Sequence, residues 1–203
     1  MPIYNQWQNG GHTRAVIWKI EEPEDFFIGH TGLVSDRKSA IRRLEYLATR
    51  YLLGLSWPGF PIDQIAVSPL GKPFLPGTPL HFSISHSYPY VAVAIDTQQE
   101  VGIDIQVIQP KILRLQNKFL SPAEQAMCGD EPALITLAWA AKEAVFKRYG
   151  KGAVDFIRHM PITHMDIHAG QAELSMQFSR ELPSMPVRLY GSLETDFAWS
   201  VTQ

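Results

Sequence analysis

A single cysteine, Cys128, in 203 residues excludes an internal disulfide and any zinc site built from several thiolates. No apolar run approaches the ~18 residues a membrane-spanning helix needs, and the N-terminus lacks the charged-then-apolar pattern of a secretory leader. Neither charge is in surplus. Eighteen basic against 20 acidic residues leave a net charge of −2, which fits neither a basic nucleic-acid surface nor an acidic disordered tail. Internal repeats, a Gly-x-Ser-x-Gly elbow, a Walker motif and a paired-aspartate signature are absent too. What is present is 45% hydrophobic residues, enough to bury a core in one or two compact domains. A soluble, cytoplasmic protein with no membrane or nucleic-acid partner is expected.

The hydrophobic pattern divides the chain. A β-rich run at 15–20 predicts a strand, and apolar residues at 41, 44, 47, 48, 51, 52 and 55 keep a helical period over 39–55, with Gly54 near its stop. Pro58 and Pro61 enforce a loop, a short strand is expected at 65–67, and the Gly- and Pro-rich stretch 69–79 predicts turns. Strands at 82–84 and 90–95 flank Ser85-His86-Ser87, expected where the first strand leaves its sheet, and 101–105 predicts another. Polar and proline residues over 96–110 mark the expected junction between halves 1–98 and 99–203.

In the second half a helix is expected over 112–119. Ser121, Pro122 and Glu124 then fit the N-cap, N1 and N3 positions of a capping box. A helix over 132–149 is stopped by Gly150 and Gly152, and strands are expected at 165–167, 172–178, 187–190 and 197–201. Each half combines helix with strands, which predicts an α+β fold of two similar lobes.

Two segments carry the chemistry. Gly102-Ile103-Asp104-Ile105-Gln106 places an acid in an apolar run, where a carboxylate costs several kcal/mol unless a cation neutralises it. On a strand Asp104 and Gln106 share a face, so a carboxylate and an amide oxygen can both serve a hard cation. A strand-end acid capping the next turn is the plainer alternative. In Trp139-Ala140-Ala141-Lys142-Glu143-Ala144-Val145-Phe146-Lys147, helical spacing aligns Trp139, Glu143 and Lys147 on one face. Glu143 and Lys147 form a favourable i, i+4 pair on any helix; beside Asp104 they also fit magnesium-assisted phosphoryl chemistry. Lys142, Lys147, Arg148 and Lys151 make either a solvated stripe or a polyphosphate clamp.

Other segments read both ways as well. Lys72 sits between Gly71 and Pro73 on a constrained backbone, either as an ordinary turn or as a presented ammonium. Ser85 and His86 suit charge-assisted phosphate bonds, although a lone histidine is commonly structural. Arg37, Lys38, Arg42, Arg43 and Arg50 crowd the first helix as solvated surface or as a phosphate site.

Taken in order, Gly71-Lys72-Pro73, Phe82 to Ser87, Val101 to Ile105, and Trp139-x-x-Lys142-Glu143-Ala144-x-x-Lys147 with Gly150-Lys151-Gly152 resemble the surfactin-type 4′-phosphopantetheinyl transferases. The resemblance implies two α+β lobes related by a pseudo-twofold axis, with a ligand cleft between them. It implies a monomer that moves phosphopantetheine from coenzyme A to a serine of an apo acyl or peptidyl carrier protein, releasing adenosine 3′,5′-bisphosphate. Asp104, Gln106 and Glu143 would serve magnesium (Mg2+), with Glu143 also the base for the carrier serine. Lys142 and Lys147 would steady the pyrophosphate, and Lys72, Ser85 and His86, helped by Arg42 or Arg43, would hold coenzyme A phosphates. Many members carry glutamate where this chain has Gln106, which keeps an oxygen but loses a charge. That departure leaves an alternative, a non-catalytic coenzyme A or carrier-protein binding module with a degraded metal site. A different magnesium enzyme is disfavoured by the missing motifs.

Overall fold

β-branched and aromatic residues at Val16, Ile17 and Trp18 extend as expected, inside the first of two compact units, Met1–Val101 and Gly102–Gln203. The computed structural model describes residues 3–203. In the first unit β1 (Ile3–Asn9) and β2 (Thr13–Lys19) precede α1 (Glu24–Thr31) and α2 (Ala40–Ser56). A two-residue pair, β3 (Ala66–Val67) and β4 (Pro73–Phe74), is followed by β5 (His81–Ser87) and β6 (Tyr90–Asp96). The main sheet has the order β1-β2-β6-β5 and is antiparallel throughout.

Ser39 starts α2 by accepting the backbone N–H of Arg42. The apolar stripe of that helix, Leu47, Ala48, Leu52 and Leu53, is buried with Trp18, Phe82, Val91 and Val93. Each buried leucine contributes roughly 1.5–3 kcal/mol, so packing rather than helix propensity holds α2 in place.

β1 and α1 carry no clear period and are found only in the structure. β1 is an edge strand, with mostly polar residues and no fully buried position. Ser85-His86-Ser87 also differ from expectation. They remain inside β5, paired opposite Ala92, Val91 and Tyr90, and the turn comes at Tyr88-Pro89. Every residue of β6 is buried, and its complete ladder carries the hydroxyl residues along with it.

The second unit holds β7 (Ile103–Val107), α3 (Pro122–Cys128) and α4 (Pro132–Tyr149), then β8 (Ile162–His168), β9 (Gln171–Phe178), β10 (Met185–Leu193) and β11 (Phe197–Thr202). Its antiparallel sheet has the order β7-β11-β10-β9-β8, and α4 packs on β7, β10 and β11. Ser121 and Glu124 form both arms of the expected capping box, and Gly150 ends α4 at φ 67°. The helix expected over 112–119 is instead two 3-10 turns, Pro110–Arg114 and Gln116–Lys118. Successive i→i+3 bonds run from Ile112 N to Gln109 O, Leu115 N to Ile112 O and Lys118 N to Leu115 O. The three-residue spacing of Ile112 and Leu115 suits that tighter winding. No helix among the described residues is long and apolar enough to cross a membrane.

Candidate active site

β7 and α4 together build the acidic site. Asp104 is 2% exposed and lies opposite Ser200 of β11. Lys147 donates from Nζ to Asp104 Oδ1 at 2.6 Å and to Ile103 O at 3.1 Å, so the buried acid has its cation. Gln106 donates from Nε2 to Asp104 Oδ2 at 3.0 Å. Glu143 lies one turn before Lys147, and its carboxyl is pushed up to about 7. Burial is the main cause, the negative charge of Asp104 adds to it, and Lys147 opposes both.

The approach of β7 to α4 depends on a missing side chain. A Cβ at Gly102 would meet Ala144 O at 1.8 Å and Arg148 N at 2.8 Å. Gly102 N donates to Thr202 Oγ1 at 3.0 Å, and Thr202 N donates back to Gly102 O at 3.0 Å. The backbone leading into β7 therefore meets helix backbone at Ala144, the residue after Glu143.

This donor set fits a hard divalent cation. Two carboxylates that disfavour each other's charge are the surroundings in which a bound cation gains most, and magnesium takes few protein oxygens. Among the described residues no cluster of three or more His, Cys, Asp or Glu is poised for a metal. Asp104, Glu143 and the Gln106 amide oxygen are the side-chain oxygens this arrangement could offer. With Nε2 on Asp104, Gln106 has Oε1 as its atom for such a role.

Lys142 corrects an expectation. It is fully buried, and its ammonium donates to Phe119 O at 2.7 Å and Phe156 O at 2.9 Å while pairing with Glu124 Oε1 at 2.6 Å. Three donors meet three acceptors, which leaves none for a pyrophosphate. Burial pulls its pKa down while Glu124 holds it up. The basic residues of 142–151 are therefore not one stripe. Lys142 ties the core, Lys147 serves Asp104, and Lys151 pairs on the surface with Glu181 at 2.8 Å.

In the first unit Arg37, Arg42, Tyr46, Arg50 and His86 line a cleft of about 140 Å3. Tyr46 lies between two guanidiniums, Arg37 at 4.1 Å and Arg50 at 4.0 Å from its ring centre. Burial lowers the pKa of Arg50, with the Arg37 charge adding to the effect. Arg43 is directed elsewhere. It binds Glu24 at 2.9 and 3.0 Å and the carbonyls of Arg37 and Lys38, tying α2 to α1. Of the two arginines considered for phosphate, Arg42 is the one at the cleft. Ser85 is buried beside His86, and Lys72 pairs with Glu100, which also faces His81 Nδ1 at 3.1 Å. The carboxyl of Glu100 is held below its usual range; burial opposes this, and the bonds to Lys72 and His81 outweigh it.

Sequence reasoning passed over Glu45 and Glu124. Glu45 belongs to the buried face of α2, and an acid in an apolar stripe, three residues after Arg42, was the available signal. Glu124 was seen only as a cap. Its second oxygen accepts Ile162 N at 2.8 Å and pairs with Lys142, contacts too distant in sequence to read.

Comparison with known proteins accords with this chemistry. The family model of the 4′-phosphopantetheinyl transferase superfamily matches residues 100–201, the span that holds Asp104, Glu143 and Lys147. The chain is 35% identical over 130 residues to the 4′-phosphopantetheinyl transferase AcpT of Salmonella typhi, covering 60% of this chain and 67% of that one. It is 32% identical over 151 residues to AcpT of Escherichia coli O157:H7, covering 70% and 76%. Over 88 residues it is 39% identical to the 4′-phosphopantetheinyl transferase Sfp of Bacillus subtilis strain 168, covering 40% and 39%. A superfamily match over half the chain, together with these relatives, places the chain in the 4′-phosphopantetheinyl transferase superfamily, as a transferase enzyme.

Proposed function

We propose that the enzyme transfers 4′-phosphopantetheine from coenzyme A to a serine of an apo acyl or peptidyl carrier protein and releases adenosine 3′,5′-bisphosphate. The observation that carries this reading is Glu143, a carboxyl near 7 beside a buried Asp104 that Lys147 neutralises. A base with a pKa close to neutral suits removal of a serine proton at physiological pH. In this reading Glu143 takes the proton from the carrier serine Oγ, which forms a bond to the β-phosphorus of coenzyme A. The bond from that phosphorus to the bridging oxygen breaks, and the electron pair leaves on the 5′-phosphate of adenosine 3′,5′-bisphosphate. Lys147 offsets the charge gathering there.

Asp104, Glu143 and Gln106 are the residues that would hold magnesium, which supplies charge neutralisation of the pyrophosphate when bound. Arg42, Lys72, Ser85 and His86 would fix the coenzyme A phosphates; Lys142 and Arg43 are left out because their bonds lie within the fold. The proposal retains two lobes, 1–98 and 99–203, in a cytoplasmic monomer. A non-catalytic binding module is set aside because the chain is a transferase by family.

The test is to incubate the protein with coenzyme A, magnesium and an apo carrier protein, and to weigh the carrier. A gain of one phosphopantetheine is expected, and an unchanged mass overturns the reading. His86→Ala and Lys72→Ala should each raise KM for coenzyme A and leave KM for the carrier unchanged.

A further inference from the structure

We infer that Glu45 is a positioning residue for coenzyme A, a buried carboxylate that orients Arg42 and His86 for its phosphates. The inference rests on the reading above, in which those two side chains bind the co-substrate. Glu45 is 4% exposed, and two of its partners, Arg42 and His86, line the cleft. Its Oε2 accepts from Arg42 Nη1 at 2.9 Å and lies 3.2 Å from His86 Nδ1. Arg42 Nη1 and His86 Nδ1 are themselves 3.1 Å apart, so one carboxylate oxygen holds both together.

Two groups meet His86 at Nδ1, a guanidinium and a carboxylate. A guanidinium is always a donor, and a buried carboxylate needs donors from every neighbour. An Nδ1–H satisfies the Glu45 oxygen at 3.2 Å, whereas a lone pair on the same nitrogen accepts from Arg42 Nη1 at 3.1 Å. Glu45 and Arg42 together hold the ring edge that carries Nδ1, and with it the orientation of the imidazole that lines the cleft. The same arrangement orders catalytic and metal-binding histidines, in which the partner of one nitrogen sets the role of the other.

Arg42 gains in a second way. Its side chain is 60% exposed, and a long side chain that is free in solution must be ordered on binding. Anchoring to Glu45 orders it beforehand. Fold stability does not require an acid here, since an apolar residue can replace a buried ion pair at little or no loss.

The experiment measures kcat and KM for coenzyme A and for the carrier in wild type, Glu45→Gln, His86→Ala and the double variant, with thermal melts of each. Glu45→Gln should raise KM for coenzyme A roughly five- to tenfold, the scale of one or two side chains losing their prior ordering. Its kcat should stay within about twofold, and KM for the carrier should not move. The double variant should show less than the product of the two single effects, because Glu45 acts partly through His86. Glu45→Asp, which keeps the buried charge and withdraws it by one methylene, should shift KM the same way and serves if Glu45→Gln does not fold.

A lower melting temperature with KM for coenzyme A unchanged overturns the inference, as does full multiplicativity with His86→Ala. If His86→Ala itself leaves KM for coenzyme A unchanged, the coenzyme A site has been misassigned and both proposals fall.

Discussion

Two lysines of α4 pair with carboxylates of other elements at the same 2.6 Å separation, and we propose opposite purposes for them. Lys142 and Glu124 are 0% and 3% exposed; Lys147 and Asp104 are 27% and 3% exposed. Lys142 is surrounded by acceptors of the fold, the carbonyls of Phe119 and Phe156 among them. Lys147 reaches a strand acid that is also touched by Gln106 and felt by Glu143. Contact distance therefore says nothing about which pair is functional. In the proposed reading, exposure of one partner and the presence of a second carboxylate, Glu143, separate a site from a strut.

The sharpest way to break this comparison is Lys142→Met. Glu124 would then be left as a buried charge without its cation, and a loss of about 3–5 kcal/mol is expected from denaturant unfolding. Stability close to wild type would dismiss the structural role. Lys142→Met with Glu124→Leu should recover part of the loss, although Ile162 N then loses its acceptor.

Glu143→Gln should act in the opposite manner. Turnover is expected to fall at least ~100-fold, the range for removing a general base. Stability should rise at alkaline pH. The folded pKa, about 7, lies above the unfolded value of 4.5, so folding favours the protonated form. That contribution is complete below pH 4.5 and is lost as pH rises through 7. Without added metal, wild type should thus weaken between pH 5 and 8 relative to Glu143→Gln, by up to about 3 kcal/mol. Parallel stability profiles would show that burial does not raise this carboxyl.

The smallest effect concerns Gln106. As a metal ligand, Gln106→Glu should lower the magnesium concentration for half-maximal activity by about threefold, and Gln106→Ala should raise it. Superimposable curves for the three proteins would limit its role to the hydrogen bond with Asp104.

Legibility in the sequence followed the range of the interactions. α4 was bounded correctly because Pro132 and Gly150 act on their own backbone, and the Ser121–Glu124 capping box is complete within four residues. Asp104, Glu143 and Lys147 could be singled out because acids in apolar runs and helical spacing are local signals. Lys142 was misjudged because its acceptors lie 14 to 23 residues away in the chain, at Phe156 and Phe119. The partner of Arg43, Glu24, is 19 residues distant and equally out of local reach. The strand through Ser85 and His86 was cut short because its continuation depends on β6, not on its own residues.

Gly102 has no group that could take part in any reaction, yet the two backbones it allows to touch carry the two carboxylates. A methyl at that position would have to displace Ala144 O, an atom already committed to the main chain of the helix. Sequence drift at Asp104 or Glu143 is checked by chemistry; drift at Gly102 is checked by volume alone. Mutational tolerance in this enzyme is therefore narrow at a residue that an inventory of reactive side chains would pass over.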